Sequence, residues 1–219
     1  MANFTYVIVD EKNKDSLIVD PSWNLEIIFE YLKKNSLTNK YILNTHSHFD
    51  HIFGNEQVKS ITGAKVIQHK LSPLEKDIEI EDGEIIEFGD TRIRTIHTPG
   101  HSKDSICLII DDRVMITGDT VFVGSCGRLD LPGGDPHEMY ESIYNKLANL
   151  DGNLSILPGH HYGSSKTSTL KKELESNFVF KFKNKADFLK FIVHRNIISI
   201  LYFLHHYQHT RNYKQYHYC

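Results

Sequence analysis

Three histidines and an aspartate fall within one seven-residue stretch, Thr45 to His51, directly after the apolar run Tyr41-Ile42-Leu43. Imidazole nitrogens and carboxylate oxygens are the groups that bind zinc and iron in proteins, and this density of them is unusual away from metal sites. Alternate residues of such a segment can face one cation while the following turn faces a second. The stretch therefore predicts metal binding, with four candidate ligands: His46, His48, Asp50 and His51.

Three more candidate ligands occur later in the chain, each just after an apolar, strand-like run. They end the short sequences TPGH, TGD and PGH, as His101, Asp119 and His160. Loops that leave neighbouring strand ends gather at one edge of a layered α/β fold, so distant side chains can converge there. Seven ligands suffice for two cations, with Asp119 between a first set of His46, His48 and His101 and a second set of Asp50, His51 and His160.

In these motifs the chain resembles the metallo-β-lactamase superfamily, since HSHFDH, TPGH, TGD and PGH occur in the superfamily's order. The segments Val123–Asp130 and Pro132–Asp135 make it most similar to hydroxyacylglutathione hydrolases (glyoxalase II) and to persulfide dioxygenases. The resemblance covers residues 4 to 192. It implies an α/β fold of the αββα type, in which two sheets lie between helices and the metal site occupies the edge where strands end.

Hydrophobic periodicity by itself indicates only a mixed α/β chain. Asn24 is expected to cap a helix that begins at Leu25, and Met139–Leu147 has the apolar spacing of another helix. Strands are predicted where apolar residues alternate or run together between turn residues. These runs are Phe4–Val9, Ser16–Val19, Lys65–Ile67, Glu84–Phe88, Thr91–Ile96, Ser105–Ile110 and Arg113–Ile116.

The composition indicates a globular protein. The chain has 219 residues, of which 40% are hydrophobic and 24% charged, and its formal net charge is −3. That charge argues against nucleic acid as a partner, and no apolar run approaches the roughly 18 residues of a membrane span. The first ten residues lack a signal-peptide pattern, and the three cysteines form no disulfide framework. We therefore expect a cytoplasmic protein.

We divide the chain into a metallo-β-lactamase-like domain, residues 1–193, and a tail, residues 194–219, that is rich in His and Tyr and has no Asp or Glu. The tail is expected to be a helix followed by a disordered end; a metal-sensing segment, a membrane-touching segment or a frame-altered terminus are the alternatives. The longer hydrolases of this family bind their thiol carrier with a C-terminal helical domain. Since 59 residues follow His160 here, we do not expect glutathione to be recognised in that way.

Four residues beside the predicted site are candidate contacts to the thiol part of a substrate. Arg128 and Asp130 follow a glycine-containing turn, where a guanidinium and backbone amides could bind a carboxylate. An Arg-Asp ion pair that braces the loop is the equal alternative. Tyr162 and Lys166 could line the same mouth, and Cys126 is expected to fill the loop rather than to act as a nucleophile.

The resemblance implies a hydrolase of thioesters with two zinc ions per chain. Two cations about 3.5 to 4 Å apart lower the pKa of a bound water to about 7, and a thiolate leaves without strong acid assistance. Asp50 is predicted as the catalytic residue, orienting the attacking water or accepting its proton when the second cation site is empty. The expected substrate is a thioester of glutathione, of another small-molecule thiol or of an acyl carrier such as those of polyketide pathways. A homodimer is left open.

A persulfide dioxygenase is the main alternative that the resemblance implies. In such proteins one iron per chain is held by the equivalents of His46, His101 and Asp119, and it oxidises a thiol persulfide with oxygen. All three residues are present here. The complete set of seven favours hydrolysis, because a mononuclear site does not need every one of them. A lactamase, a lactonase and a non-catalytic metal-binding protein agree less well with the motifs.

Overall fold

A computed structural model describes residues 2–192 of the chain, and the predicted tail, residues 194–219, lies outside the described residues. The chain divides into two compact units with their boundary between Lys181 and Phe182. In the described part of the second unit, residues 185–192 are helical and the Phe182 ring contacts those of Phe188 and Phe191. Among residues 2–192, no helix is long and apolar enough to cross a membrane.

The first sheet has five strands in sequential order, which are β1 (Tyr6–Asp10), β2 (Asp15–Val19), β3 (Thr38–Leu43), β4 (Lys65–His69) and β5 (Ile78–Ile80). The first two strands form an antiparallel hairpin, whereas β2 to β5 pair in parallel. Their connections contain the helices α1 (Leu25–Lys34), α2 (Phe49–Ile52) and α3 (Asn55–Thr62). Parallel pairing places the carboxyl ends of β2 and β3 at the same edge.

The second sheet has six strands and begins with β6 (Ile85–Phe88), β7 (Thr91–His97), β8 (Ile106–Ile110) and β9 (Val114–Gly118). A separate ribbon of β10 (Val121–Phe122) and β11 (Ser125–Cys126) follows, and then α4 (Pro136–Glu141). The strands β12 (Ser155–Pro158) and β13 (Ser168–Thr169) complete the sheet in the order β13-β12-β9-β8-β7-β6. The helix α5 (Leu170–Ser176) and a 3₁₀ turn, Phe178–Phe180, end the first unit.

Alternation along β2 shows how the layers are built. Leu17 and Val19 face the second sheet, where they join a core that includes Ile93, Leu108 and Ile116, whereas Ile18 points the other way. On that outer face it packs with residues of α1 and α3, namely Leu25, Ile28, Leu32 and Val58. One sheet face thus meets a sheet and the other meets helices. The predicted αββα sandwich is confirmed.

The π-helical turn that follows α4 contacts the loop that leaves β7. This turn spans Ser142–Lys146, and a 3₁₀ turn, Leu147–Asn149, comes after it. The hydroxyl of Ser142 donates to the carbonyl of Pro99, and Nζ of Lys146 donates to the carbonyl of His97, both at 2.7 Å. These two bonds fix the chain on its way from β7 to His101.

Two expectations about helices need correction. Asn24 occupies the position before α1, but its backbone is left-handed with φ of 56° and its side chain makes no capping hydrogen bond. The predicted helix Met139–Leu147 begins earlier, at Pro136, because Asp135 accepts hydrogen bonds from the amides of His137 and Glu138. From Ser142 onward it is no longer an α-helix, a change that apolar spacing does not reveal.

Candidate metal centre

The seven predicted ligands converge at one edge of the sandwich, where several strands end. The HSHFDH segment leaves β3, TPGH leaves β7, Asp119 follows β9 and His160 follows β12. Strand pairing explains this, because β12 is parallel to β9, and β7 and β9 are both antiparallel to β8. Their carboxyl ends therefore share an edge, as the strand-end argument predicted.

The first set, His46, His48 and His101, brings three imidazoles face to edge. Nδ1 of His48 lies 2.9 Å from Nε2 of His101, and the ring of His46 is 4.7 Å and 4.9 Å from the other two rings, measured between centroids. One nitrogen from each residue lies within 4.8 Å of the others. Three neutral imidazoles at this separation can hold one cation.

The second set, Asp50, His51 and His160, is equally compact but contains a carboxylate. Nε2 of His51 is 3.2 Å from Nε2 of His160, and Oδ2 of Asp50 is 3.3 Å from the latter and 3.7 Å from the former. These atoms also lie within 4.8 Å of one another.

Asp119 lies between the two sets. Its Oδ2 is 3.5 Å from Nε2 of His101 in the first set and 3.3 Å from Nε2 of His160 in the second. Its Oδ1 is 3.4 Å from Nε2 of His51. One carboxylate thus reaches both sets, which is the position predicted for the shared ligand. Ligation itself stays a prediction.

Buried ligand atoms that lack hydrogen-bond partners indicate that the site fits a metal ion. Nε2 of His46 and Oδ1 of Asp119 are buried and lack hydrogen-bond partners within the described residues. A buried polar atom without a partner costs about 1–3 kcal/mol, and a coordinated cation would remove that cost. Nitrogen and oxygen donors of this kind suit zinc or iron. A bound cation supplies Lewis acidity and lowers the pKa of a bound water.

Buried Asp20 orients ligands from behind. It accepts hydrogen bonds from Nδ1 of His51 at 2.9 Å and from the amide of Thr45 at 2.7 Å. The Thr45 hydroxyl bonds to the same carboxylate at 2.6 Å and lies 3.1 Å from Nδ1 of His46. With Nδ1 engaged, the Nε2 atoms of both histidines face the site. Sequence reasoning missed Asp20, although it follows the apolar run Leu17-Ile18-Val19 just as the other site residues follow theirs.

Asn3 holds Asp50 in place and was also missed. Its amide nitrogen donates to Oδ2 of Asp50 at 2.9 Å and to the Asp50 carbonyl at 3.0 Å. Backbone bonds fix Asn3 itself, since the Phe4 amide donates to the Gly159 carbonyl and the His161 amide donates to the Ala2 carbonyl, both at 2.8 Å. The contact joins residues 47 positions apart, and nothing in the local sequence indicates it.

In the first set, a backbone carbonyl orients His101. Nδ1 of His101 donates to the carbonyl of Arg128 at 2.7 Å, which again leaves Nε2 facing the site. The chain can approach so closely because the next residue back is Gly127, where an added Cβ would overlap the Asp119 carbonyl oxygen. Gly159 is needed for a similar reason, since a Cβ there would overlap Oδ1 of Asp119.

The electrostatics of the two sets differ. Burial lowers the pKa of His46 far below its ordinary value, and the neighbouring His51 and His101 lower it further. Burial also opposes the charged form of His160, but hydrogen bonds to Asp119 and Asp50 outweigh it and raise that pKa to about 9. Burial would raise the pKa of Asp50, yet bonds from His160 and Asn3 hold it below its usual range. So low a pKa suits cation binding or water orientation better than proton storage.

The four predicted substrate contacts differ in their surroundings. Nε and Nη2 of Arg128 pair with the two carboxylate oxygens of Asp130 at 2.7 Å and 2.6 Å, the loop-bracing arrangement. The Arg128 side chain is nevertheless 60% exposed. The Tyr162 ring stacks on His160 at 4.7 Å, and Lys166 is exposed. Their contact with a thiol substrate stays a prediction, and Cys126 is buried in the ribbon.

Comparison with known proteins supports the interpretation of the motifs. The profile of the metallo-beta-lactamase superfamily matches residues 2–160. A probable polyketide biosynthesis zinc-dependent hydrolase, BaeB of Bacillus velezensis, is 30% identical over 92% of both chains. Human mitochondrial persulfide dioxygenase ETHE1 is 32% identical, over 80% of this chain and 70% of its own. The hydroxyacylglutathione hydrolase of Dictyostelium discoideum is 29% identical, over 84% of this chain and 72% of its own.

A solved structure agrees with this result. The crystal structure of ETHE1 from Myxococcus xanthus superposes with a TM-score of 0.84 at 25% identity, covering 89% of this chain and 87% of that one. The relatives carry different activities at similar identity, so the comparisons leave the reaction open while agreeing on the fold. The resemblance that the motifs carried is confirmed, and the chain belongs to the metallo-β-lactamase superfamily.

Proposed function

We propose that this protein is a metal-dependent thioesterase that binds two zinc ions per chain and hydrolyses the thioester of a small-molecule thiol or an acyl carrier. The observation that carries the proposal is the position of Asp119, whose Oδ2 lies near one ligand of each set, His101 and His160, while its Oδ1 lies near His51 of the second set. An arrangement with two complete sets and a shared carboxylate suits a pair of cations.

The residues of the chain would then have separate tasks. Asp50, whose side chain is 17% exposed, lies at the open side of the second set and would orient the attacking water. The side-chain amide of Asn3 donates to Oδ2 of Asp50 and keeps that carboxylate oxygen in a fixed direction. The histidines, fixed from behind by Asp20 and by the Arg128 carbonyl, would keep the site rigid while charge develops on the substrate oxygen.

The comparisons support an acyl thioester of a carrier as the substrate. The similarity to BaeB, described as a probable zinc-dependent hydrolase of polyketide biosynthesis, extends over 92% of both chains. The Dictyostelium hydroxyacylglutathione hydrolase supports glyoxalase II-like cleavage of a glutathione thioester, and both relatives are named hydrolases. Because the net charge is −3, we propose no nucleic-acid partner, and we propose no membrane partner either. The three cysteines form no disulfide framework, so the cytoplasm stays the expected compartment. Whether the chain forms a homodimer can be read from its mass in solution.

An iron-dependent persulfide dioxygenase is the second candidate, favoured by the superposition on ETHE1 from Myxococcus xanthus. His46, His101 and Asp119 would form the 2-His-1-carboxylate face that such a reaction uses. Oδ2 of Asp119 lies 3.5 Å from Nε2 of His101, so two of these three residues are neighbours in the site.

One experiment separates the two. The protein is purified without a His tag, its bound zinc and iron are measured, and S-lactoylglutathione and S-acetyl-N-acetylcysteamine cleavage are assayed beside oxygen uptake with glutathione persulfide. Two zinc ions per chain with thioester cleavage would support the proposal. One iron per chain with persulfide-dependent oxygen uptake and no cleavage would overturn it.

A further inference from the structure

Three aromatic rings form a cluster on the surface beside the candidate metal centre. Trp23, Phe49 and Phe53, here called the aromatic patch, contact one another with centroid separations of 4.3 Å for Trp23 and Phe53, 5.1 Å for Phe49 and Phe53, and 6.1 Å for Trp23 and Phe49. The two phenylalanines are 60% and 51% exposed. None of the three belongs to either core cluster of the sandwich. Trp23 is half-buried against the two phenylalanine rings. A surface group of apolar rings of this kind is typical of binding surfaces.

The aromatic patch is joined to the second ligand set by short links. Phe49 directly precedes Asp50 in the HSHFDH segment. Nε1 of Trp23 donates to Oδ1 of Asn3 at 3.3 Å, and the Asn3 amide donates to Oδ2 of Asp50 at 2.9 Å. The loops of the patch are also bonded to each other, since the Gly54 amide donates to the Pro21 carbonyl at 2.9 Å. A molecule that reached Asp50 from the patch side would therefore touch these rings.

The first ligand set has a different border. Its His101 is bonded to the carbonyl of Arg128, whose exposed guanidinium and partner Asp130 make that border polar and charged. A thioester has a matching asymmetry. Its thiol carrier contains amides and charges, whereas its acyl chain is apolar, and the reacting carbonyl lies between the two. The polar border suits the carrier, so the aromatic patch is left for the acyl chain.

We infer that the aromatic patch binds the acyl chain of the substrate, so that the protein prefers medium-length or aromatic acyl groups over acetyl and lactoyl groups. This inference rests on the proposed thioesterase function and adds the class of acyl group. Phe49, Phe53 and Trp23 would be specificity residues, with no part in bond cleavage.

The sole tryptophan of the chain lies in the aromatic patch, so its fluorescence reports occupancy without any reaction. The probes are the thioethers S-octyl-N-acetylcysteamine and S-methyl-N-acetylcysteamine, which have no carbonyl to hydrolyse. The octyl probe should shift Trp23 emission saturably, and the methyl probe should bind at least about tenfold more weakly. Phe53→Ala should weaken octyl binding by about tenfold. Leu71→Ala, which removes an equally exposed apolar side chain elsewhere, should leave it unchanged.

Hydrolysis provides the second measurement. With octanoyl and acetyl thioesters of N-acetylcysteamine, the wild type should have the higher kcat/KM for octanoyl, and Phe53→Ala should reduce that ratio while Phe53→Leu restores part of it. Equal affinity for both probes, or an unchanged ratio in Phe53→Ala and Phe49→Ala, would overturn the inference. An emission shift that follows protein concentration rather than probe would also overturn it, by identifying a second copy as the occupant. Failure to cleave either thioester would instead overturn the proposed function.

Discussion

The two ligand sets are similar in size but are supported in different ways. His101 of the first set rests on a backbone carbonyl, that of Arg128, whereas His51 and Asp50 of the second set rest on the side chains of Asp20 and Asn3. A carbonyl that belongs to a well-packed loop is present whatever side chain the loop carries. Single substitutions should therefore reduce the zinc affinity of the second set more than that of the first set.

The largest effect is expected for Asp119→Asn, which removes the charge that both sets share. Both cations should be lost, and thioester kcat/KM should fall by more than the roughly 100-fold typical of changes behind a ligand. Metal analysis of the purified variant beside the thioesterase assay measures this. His137→Ala, which replaces an exposed histidine that is not among the seven candidate ligands, is the control. If the variant still bound one zinc ion per chain with wild-type affinity, the carboxylate would not be shared by the two sets.

Asp20→Ala should mainly weaken the second set. Without the carboxylate, His51 loses the partner that directs its Nε2, and zinc affinity there should fall by about 10–100-fold. Thr45 also loses its bond, so a smaller change is expected at His46 in the first set. Calorimetric titration of the demetallated variant gives both affinities, and circular dichroism checks the fold. An equal loss of zinc affinity at the two sets would contradict the difference in support that is described above.

Asn3→Ala should have a smaller effect at the same set. The substitution removes two hydrogen bonds to Asp50 while leaving every ligand in place. Only the bond to Oδ2 acts on the carboxylate itself, and one such bond contributes about 1 kcal/mol, so the zinc affinity of the second set should fall by about 5- to 10-fold. The same titration measures it, with Asn153→Ala as the matched control on an exposed turn. A loss as large as that of Asp20→Ala would mean that Asn3 does more than steady the carboxylate.

Arg128→Ala should have the smallest effect on metal binding. The substitution keeps the backbone carbonyl that accepts from His101 and removes only an exposed ion pair, which is worth at most about 1 kcal/mol. Zinc affinity of the first set should stay at the wild-type value, and denaturant unfolding should change by less than about 1 kcal/mol. A marked loss of zinc from the first set would show that the loop depends on this side chain after all.

Much of the architecture and most of the site could be predicted, because each ligand follows an apolar strand and strand ends meet at one edge. The same rule applies to Asp20 after β2, so that residue was within reach of the argument. Asn3 was not, since its partner lies 47 residues away and a single Asn carries no periodic signal. The aromatic patch was hidden for a related reason, because Trp23 and Phe53 are brought together by loop packing rather than by spacing.

Local backbone conformation was the other feature that the sequence did not predict. Asn24 has the residue type of a helix cap but a left-handed backbone, so its side chain does not reach the amides of α1. The helix that begins at Pro136 widens at Ser142, where hydroxyl and lysine contacts to the loop after β7 accompany the change. Apolar spacing describes which face is buried, and it carries no information on either feature.

The central claim, two cation sites that share Asp119, is tested most directly by titrating the demetallated protein with Zn²⁺ in a calorimeter and counting equivalents. We expect two per chain for the wild type, with Asp20→Ala and Asn3→Ala weakening zinc binding mainly at the second set. Saturation at one equivalent, with thioester cleavage already at its maximum, would contradict the account.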